Sequence, residues 1–169
     1  MNQQNLSIKV AGKDEFKIIK NLIPYYIYDI SFEMDWDCNE DGFWDGSEDL
    51  PEYWEKDSHY PYLIKLNEKI VGFALLRPYP YENERNEIGE FFIAKKHTRK
   101  GIGTQVAKYL FDTYRGKWLV RVLKDYKSAK SFWEKVIDEY TNGQFVVTEE
   151  EYDDPHSGDW KMMFYRFTN

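Results

Sequence analysis

The chain has 169 residues, of which 42% are hydrophobic, and its 6 Trp, 14 Tyr and 11 Phe argue against disorder and for a sizeable core in one domain, 1–169. A formal net charge of -7 argues against an extended nucleic-acid surface, and the single cysteine, Cys38, cannot form an internal disulfide. The start MNQQNLSIKV lacks a charged-then-apolar leader pattern, and no apolar run approaches the roughly 20 residues of a membrane helix, so a cytoplasmic protein with no membrane partner is expected.

Leu6–Val10 alternates apolar and polar residues and reads as a first strand. Gly12 breaks it, and Asp14 can cap a helix whose apolar face is Phe16, Ile19, Ile23, Tyr26, Ile27 and Ile30, with Pro24 expected to kink or split it. Residues 33–57 then hold eleven acidic residues against one basic residue, Lys56, together with Trp36, Phe43, Trp44, Tyr53 and Trp54. This segment has no lasting periodicity and reads as a long loop with one short helical turn, of the kind that is usually functional when it is packed. Tyr62–Leu66 and Ile70–Leu76 form a hairpin around Asn67-Glu68-Lys69. After a Pro- and Tyr-rich loop, Glu87–Ala94 is the next strand. Ile102, Val106, Leu110 and Tyr114 mark a helix ended by Gly116, and Trp118–Leu123 is a strand. Asp125 or Ser128 can cap a helix with Ala129, Phe132, Trp133, Val136, Ile137 and Tyr140 on one face. Phe145–Thr148 and Met162–Phe167 close the chain as strands around a polar loop, Glu149–Asp159. This order implies a mixed α/β sheet with helices on its faces.

The chemistry concentrates at 98–104. Amides at a helix start have no acceptor inside the helix and lie at the positive end of its dipole, which suits a phosphate. Gly101 and Gly103 admit an anion close to the backbone, and Arg99 and Lys100 add charge. The chain has neither G-x-x-x-x-G-K-[ST] nor a third glycine for G-x-G-x-x-G.

Phe91-Phe92-Ile93 followed by Arg99-Lys100-Gly101-Ile102-Gly103 and an apolar helix resembles the coenzyme A motif of the GNAT-type N-acetyltransferases. Ser128-Ala129 followed by Phe132-Trp133-Glu134-Lys135 resembles the A-x-x-F-Y/W-x-K pattern of that family's last helix. The resemblance covers 87–147 and implies a mostly antiparallel sheet of six to seven strands with about four helices and a split between strands four and five. It implies acetyl-CoA as cosubstrate and no metal. The backbone of Phe92, Ile93 and Ala94 would hold the pantetheine arm and help polarise the acetyl carbonyl, and Thr98, Arg99, Lys100, Gly101, Ile102, Gly103 and Thr104 would hold the pyrophosphate. Ser128, Phe132 and Trp133 would lie beside the pantetheine. The chain departs from the family at Thr98, where Gln or Arg is usual, at Tyr126, where Asn is frequent, and at Trp133, where a Tyr often acts as general acid. Tyr126 or solvent then remains to protonate the leaving thiolate.

Glu87 and Glu90 are the candidate general bases. They are an odd number apart, so a regular strand turns them to opposite faces unless a bulge intervenes; Glu90 is favoured. His59, His97 and His156 have no metal-binding spacing. The acidic and aromatic segment suits a cationic amine, a small molecule or a basic peptide terminus, with Trp36, Trp44, Asp45 and Trp54 as its candidate residues. Three readings stay open: an N-acetyltransferase, a coenzyme A-binding sensor or assembly module without turnover, and a nucleotide-binding protein. A monomer or an edge-paired homodimer both fit.

Overall fold

The computed structural model describes residues 5–46, 49–82, 84–154 and 158–169. The elements in chain order are β1 (Leu6–Val10), α1 (Phe16–Met34), α2 (Glu52–Glu55), β2 (Tyr60–Leu66), β3 (Lys69–Pro78), β4 (Arg85–Ile93), α3 (Ile102–Thr113), β5 (Lys117–Leu123), α4 (Lys127–Thr141), β6 (Val146–Asp154) and β7 (Gly158–Thr168). Short 3-10 turns at Lys13–Glu15 and Lys95–His97 precede α1 and follow β4. One sheet carries all seven strands in the order β1-β2-β3-β4-β5-β7-β6. The pairs β1–β2, β2–β3, β5–β7 and β6–β7 are antiparallel, and β4–β5 is parallel from Arg85↔Lys117 to Ile88↔Val120. Gly89–Ile93 continue β4 beyond the last registered pair.

The chain gathers into two compact units, residues up to Arg77 with Gly89–Val106, and Pro78–Ile88 with Ala107–Asn169. In the first, Pro61–Ile64 and Val71–Leu76 are buried on consecutive positions, as strands covered on both faces are. Ile19 and Ile23 of α1 and Tyr53 of α2 pack with Leu63, Phe73, Leu75 and Phe92. In the second, Phe111 is the centre of an aromatic cluster, with ring centroids 4.9 Å from Trp118 and Phe167 and 5.1 Å from Tyr140.

Three expectations are corrected. α1 runs unbroken through Pro24 to Met34. An interior proline costs about 3 kcal/mol, but Ile19, Ile23 and Ile30 are buried on both sides of it, and each buried isoleucine contributes about 1.5–3 kcal/mol. Neither Asp125 nor Ser128 caps α4: Tyr126 holds the N-cap position, its carbonyl accepting the Lys130 N–H at 3.0 Å, which puts Ser128 inside the first turn. The polar stretch after Thr148 is not a loop, because β6 and β7 stay paired out to Asp154↔Gly158. Backbone pairing and charge hold it: Arg166 grips Glu150 at 2.6 Å, and Lys124 meets Glu149 at 2.8 Å. Such a strand buries no alternating apolar face, so periodicity does not reveal it.

Gly72 marks the tightest approach in the first unit. A Cβ built there would lie 2.0 Å from the carbonyl oxygen of Phe92 and 3.1 Å from the Ile93 Cα, both backbone atoms of β4. Gly72→Ala therefore forces β3 and β4 apart. It should destabilise the fold by about 1–3 kcal/mol, seen as a lower urea midpoint with an unchanged slope.

Candidate functional site

Between β4 and α3 the backbone turns sharply. Arg99 at φ +59° and Gly101 at φ +77° are both left-handed and flank Lys100. Alternation of this kind turns successive amides toward one side, forming an anion-binding concavity. The Gln105 N–H bonds the Gly101 carbonyl at 3.0 Å, and the amides of the first helical turn before it have no acceptor within the helix. A Cβ at Gly101 would meet nothing nearer than the Gln105 Nε2 at 3.9 Å, so the space over the turn is open. Thr98, Arg99, Lys100 and Gly101 are exposed, Gly103 and Thr104 are half-buried, and Ile102 is anchored in the core. The Thr98 hydroxyl donates to the Lys95 carbonyl at 2.9 Å. Burial, then the charges of Lys100, Lys96 and Lys69, hold the His97 imidazole below its ordinary value, which reports a positive field in a chain of net charge -7. This donor set fits a polyphosphate such as that of coenzyme A.

On β4, Phe92 and Ile93 are buried and Ala94 is half-buried. The Phe92 ring packs 5.7 Å from Phe73 and 6.0 Å from Tyr26, so only its backbone is left to meet a ligand. A Cβ at Gly89 would point at Tyr53 Oη, 2.6 Å away, in that same core. Residues three apart face opposite sides in a regular strand, so the alternation is broken between Gly89 and Phe92. Glu90 falls within this irregular stretch and is half-buried.

Glu87 lies elsewhere on the strand and in a different environment. It is fully buried, and the Arg121 Nε of β5 donates to its carboxylate. Tyr79 covers the guanidinium, whose Cζ is 5.3 Å from that ring centroid and 5.9 Å from Phe164. Burial raises the Tyr79 phenol above its ordinary value against the opposing charge of Arg121. On α4, Tyr126 is half-buried at the N-cap, Ser128 is exposed and Phe132 half-buried. Trp133 is buried, its ring 5.0 Å from Phe132 and 6.5 Å from Phe111.

The residues of the acidic segment do not converge on one point. The Trp54 indole N–H donates to the carbonyls of Ala11 and Gly12 at 3.1 and 2.9 Å and its ring meets Phe16 edge-on, at the start of α1. Trp44 instead meets Tyr28, 5.8 Å between centroids. Phe16 and Tyr28 are twelve residues apart on one helix, about 18 Å at 1.5 Å per residue. Trp36 is half-buried just beyond the helix end, its N–H on the Ser31 carbonyl at 3.2 Å, and Asp45 is exposed and accepts the Gly46 N–H at 2.8 Å.

Sequence reasoning missed Arg121, Tyr79 and the Tyr53–His59 pair. Arg121 carried a signal, since a charge inside the apolar run of β5 requires a buried partner. The ring contact of Tyr53 with His59, 5.2 Å between centroids, had none. Burial first, then Lys56 and Arg77, hold the His59 imidazole below its ordinary value. Among the described residues no cluster of His, Cys, Asp and Glu could hold a metal ion, and no helix is long and apolar enough to cross a membrane. His156 lies outside the described residues.

The acetyltransferase (GNAT) family model matches residues 25–137. Among solved structures, a GNAT family acetyltransferase from Elizabethkingia anophelis with acetyl-CoA bound is similar at TM-score 0.60 and 18% identity, covering 99% of this chain and 100% of that one. The ribosomal-protein-S18-alanine N-acetyltransferase from Escherichia coli is similar at TM-score 0.67 and 11% identity, covering 97% and 94%. A spermidine N-acetyltransferase SpeG chimera from Vibrio cholerae and hSSAT is similar at TM-score 0.64 and 13% identity, covering 96% and 95%. No curated protein matches the chain.

A carboxylate placed over the turn at 101 would fill the open space with the wrong charge. Gly101→Glu should abolish acetyl-CoA binding in calorimetry while leaving the circular dichroism spectrum intact; unchanged affinity would remove the coenzyme from this turn.

Proposed function

Because the chain belongs to the GNAT acetyltransferase family, whose cosubstrate is acetyl-CoA, we propose that it acetylates the primary amine of a small cationic acceptor by direct attack on the thioester. The observation that carries the choice of acceptor is the run from Asn21 to Glu55, which contains eleven acidic residues and no Lys or Arg, with Trp36, Phe43 and Trp44 at least partly exposed. Ammonium groups are drawn to such a field and to aromatic faces. Two of the similar structures are named for amine acceptors, spermidine and a ribosomal protein's alanine.

In this reading the coenzyme supplies an activated acyl thioester. The backbone of Phe92, Ile93 and Ala94 orients it and polarises the acetyl carbonyl, the amides of Thr98–Thr104 bind the pyrophosphate, and Ser128 and Phe132 contribute from α4. The attacking nitrogen forms the new C–N bond as the C–S bond breaks. Glu90 accepts the proton from nitrogen, because its half-buried setting leaves it within reach of a substrate. Glu87 is already engaged by Arg121 and shapes the strand instead. Tyr126 returns a proton to the thiolate; the indole of Trp133 has no proton to give it usefully. That substitution favours a second reading, a coenzyme-binding module without turnover.

A panel of amines, followed by coenzyme A release with a thiol reagent, tests the reading. Polyamine-like and aminoglycoside-like cations should turn over faster than neutral or acidic amines. Equal rates would sink the choice of acceptor, and tight acetyl-CoA binding without release on any amine would establish the second reading. The base assignment has its own check. Glu90→Gln should lower kcat by about 100-fold or more with acetyl-CoA affinity kept. Glu87→Gln, which can still accept from Arg121, should leave kcat within severalfold.

A further inference from the structure

The solvent-facing stripe of α1 changes character along its length. Its first half presents Lys17, Lys20 and Asn21, all exposed. Its second half presents Tyr25, Tyr28 and Phe32, which are 65%, 60% and 90% exposed. Spaced three and four apart, these three rings lie on one side of the helix, away from the face on which Ile19, Ile23 and Ile30 are buried. A surface helix of this kind normally turns polar residues outward, and an apolar patch left on it marks a contact surface. Trp44 borders the stripe through its edge contact with Tyr28. Asp29, half-buried on the same half of the helix, pairs with Lys95 at 3.7 Å, so the stripe lies beside the residues that follow β4.

We propose that this stripe docks a lysine- or arginine-rich segment of a polypeptide. Three arguments select that occupant. The rings stand in a run of chain with eleven acidic residues and no basic one, so a cationic segment is complementary in charge and finds faces for cation–π contact. Fully covered aromatic side chains bury 150–250 Å² each, so three partly exposed ones offer on the order of 400 Å². That is about half of the roughly 800 Å² per partner that a stable protein–protein interface uses, and it suits a peptide rather than a second copy. A second copy would also bring its own acidic run against this one. The docking does not depend on the acetyltransferase reading above.

The test uses the full chain and its triple variant Tyr25→Ser, Tyr28→Ser, Phe32→Ser, which changes only exposed side chains and keeps every residue of the coenzyme turn. The probe is a synthetic peptide of alternating Lys and Gly, compared with the same peptide carrying Glu for Lys. Calorimetry at low salt should show binding of the Lys peptide alone. The triple variant should weaken it by about tenfold or more, since each exposed cation–π contact is worth severalfold. Acetyl-CoA affinity should be unchanged. Equal binding by the Glu peptide, or binding unaffected by the triple variant, overturns the proposal. So does a concentration-dependent dimer in sedimentation that the triple variant abolishes, which would make the stripe a self-interface. If no amine turns over while the Lys peptide binds as described, the catalytic reading fails and the docking surface stands.

Discussion

The parallel ladder between β4 and β5 is short, four residue pairs, and a buried ion pair ties Glu87 within it to Arg121 at its end. Glu87 has no exposed surface, and Arg121 reaches it from the neighbouring strand under a roof of Tyr79 and Phe164. Two charges taken out of water are tolerated only when they satisfy each other, and losing either would leave the other uncompensated. The pair therefore works less as a source of net stability than as a constraint on register. A slip of one residue would turn Glu87 to the opposite face and bury it without Arg121. Gly89–Ile93 continue past the last registered pair in the first unit, with the Phe92 carbonyl near Gly72 and the Phe92 ring in the core.

Charge is partitioned along the chain with the same economy. Lys95, Lys96, Arg99 and Lys100 fall within six residues around a turn whose amides already favour an anion. Asn21–Glu55 carries none of the positive charge. Burial first, and then Lys100, Lys96 and Lys69, lower the His97 imidazole at this turn. A protein of net charge -7 would repel a polyphosphate at long range, and the basic turn reverses that locally within about a Debye length, 8–10 Å. In the proposed function one region meets an anionic cosubstrate and the other a cationic acceptor.

How much of this was legible follows from what each residue had to satisfy locally. The turn at 98–104 was readable because Gly101, the basic run and the apolar helix after it fall within one short stretch of chain. The strands and helices were readable where burial left an apolar run, as at β3, or a helical period, as at α3. Three features were not, because their cause is tertiary. Pro24 sits inside α1 because the core on both sides of it outweighs a lost helical bond. The polar end of the β6–β7 hairpin is held by backbone pairing and by Arg166, neither of which leaves a hydrophobic pattern. Trp44 and Trp54 look like neighbours in one binding segment, yet the fold sends one to Tyr28 and the other to the carbonyls of Ala11 and Gly12. In Trp54 the indole donor is spent on closing the loop against β1, whereas Trp44 stays at the surface beside an exposed aromatic stripe.

In the proposed site, Phe92 shows why the coenzyme end would tolerate departures from the family pattern better than the catalytic end. Its side chain belongs to the core, against Phe73 and Tyr26, and in the proposed site only its main chain meets the coenzyme. Recognition by main chain survives a change of side chain as long as the strand keeps its path. Thr98 in place of a longer residue would then cost one contact among many, because the proposed phosphate site draws on the neighbouring amides as well. Proton transfer has no such redundancy. It needs a titratable atom at one place, and a buried indole at 133 cannot supply it. The proposed proton transfers thus rest on Glu90, set in the stretch where strand alternation breaks, and on Tyr126, set at a helix cap that no side chain closes. Both lie where the backbone is least regular, so their geometry is fixed by what surrounds them rather than by the period of their own element.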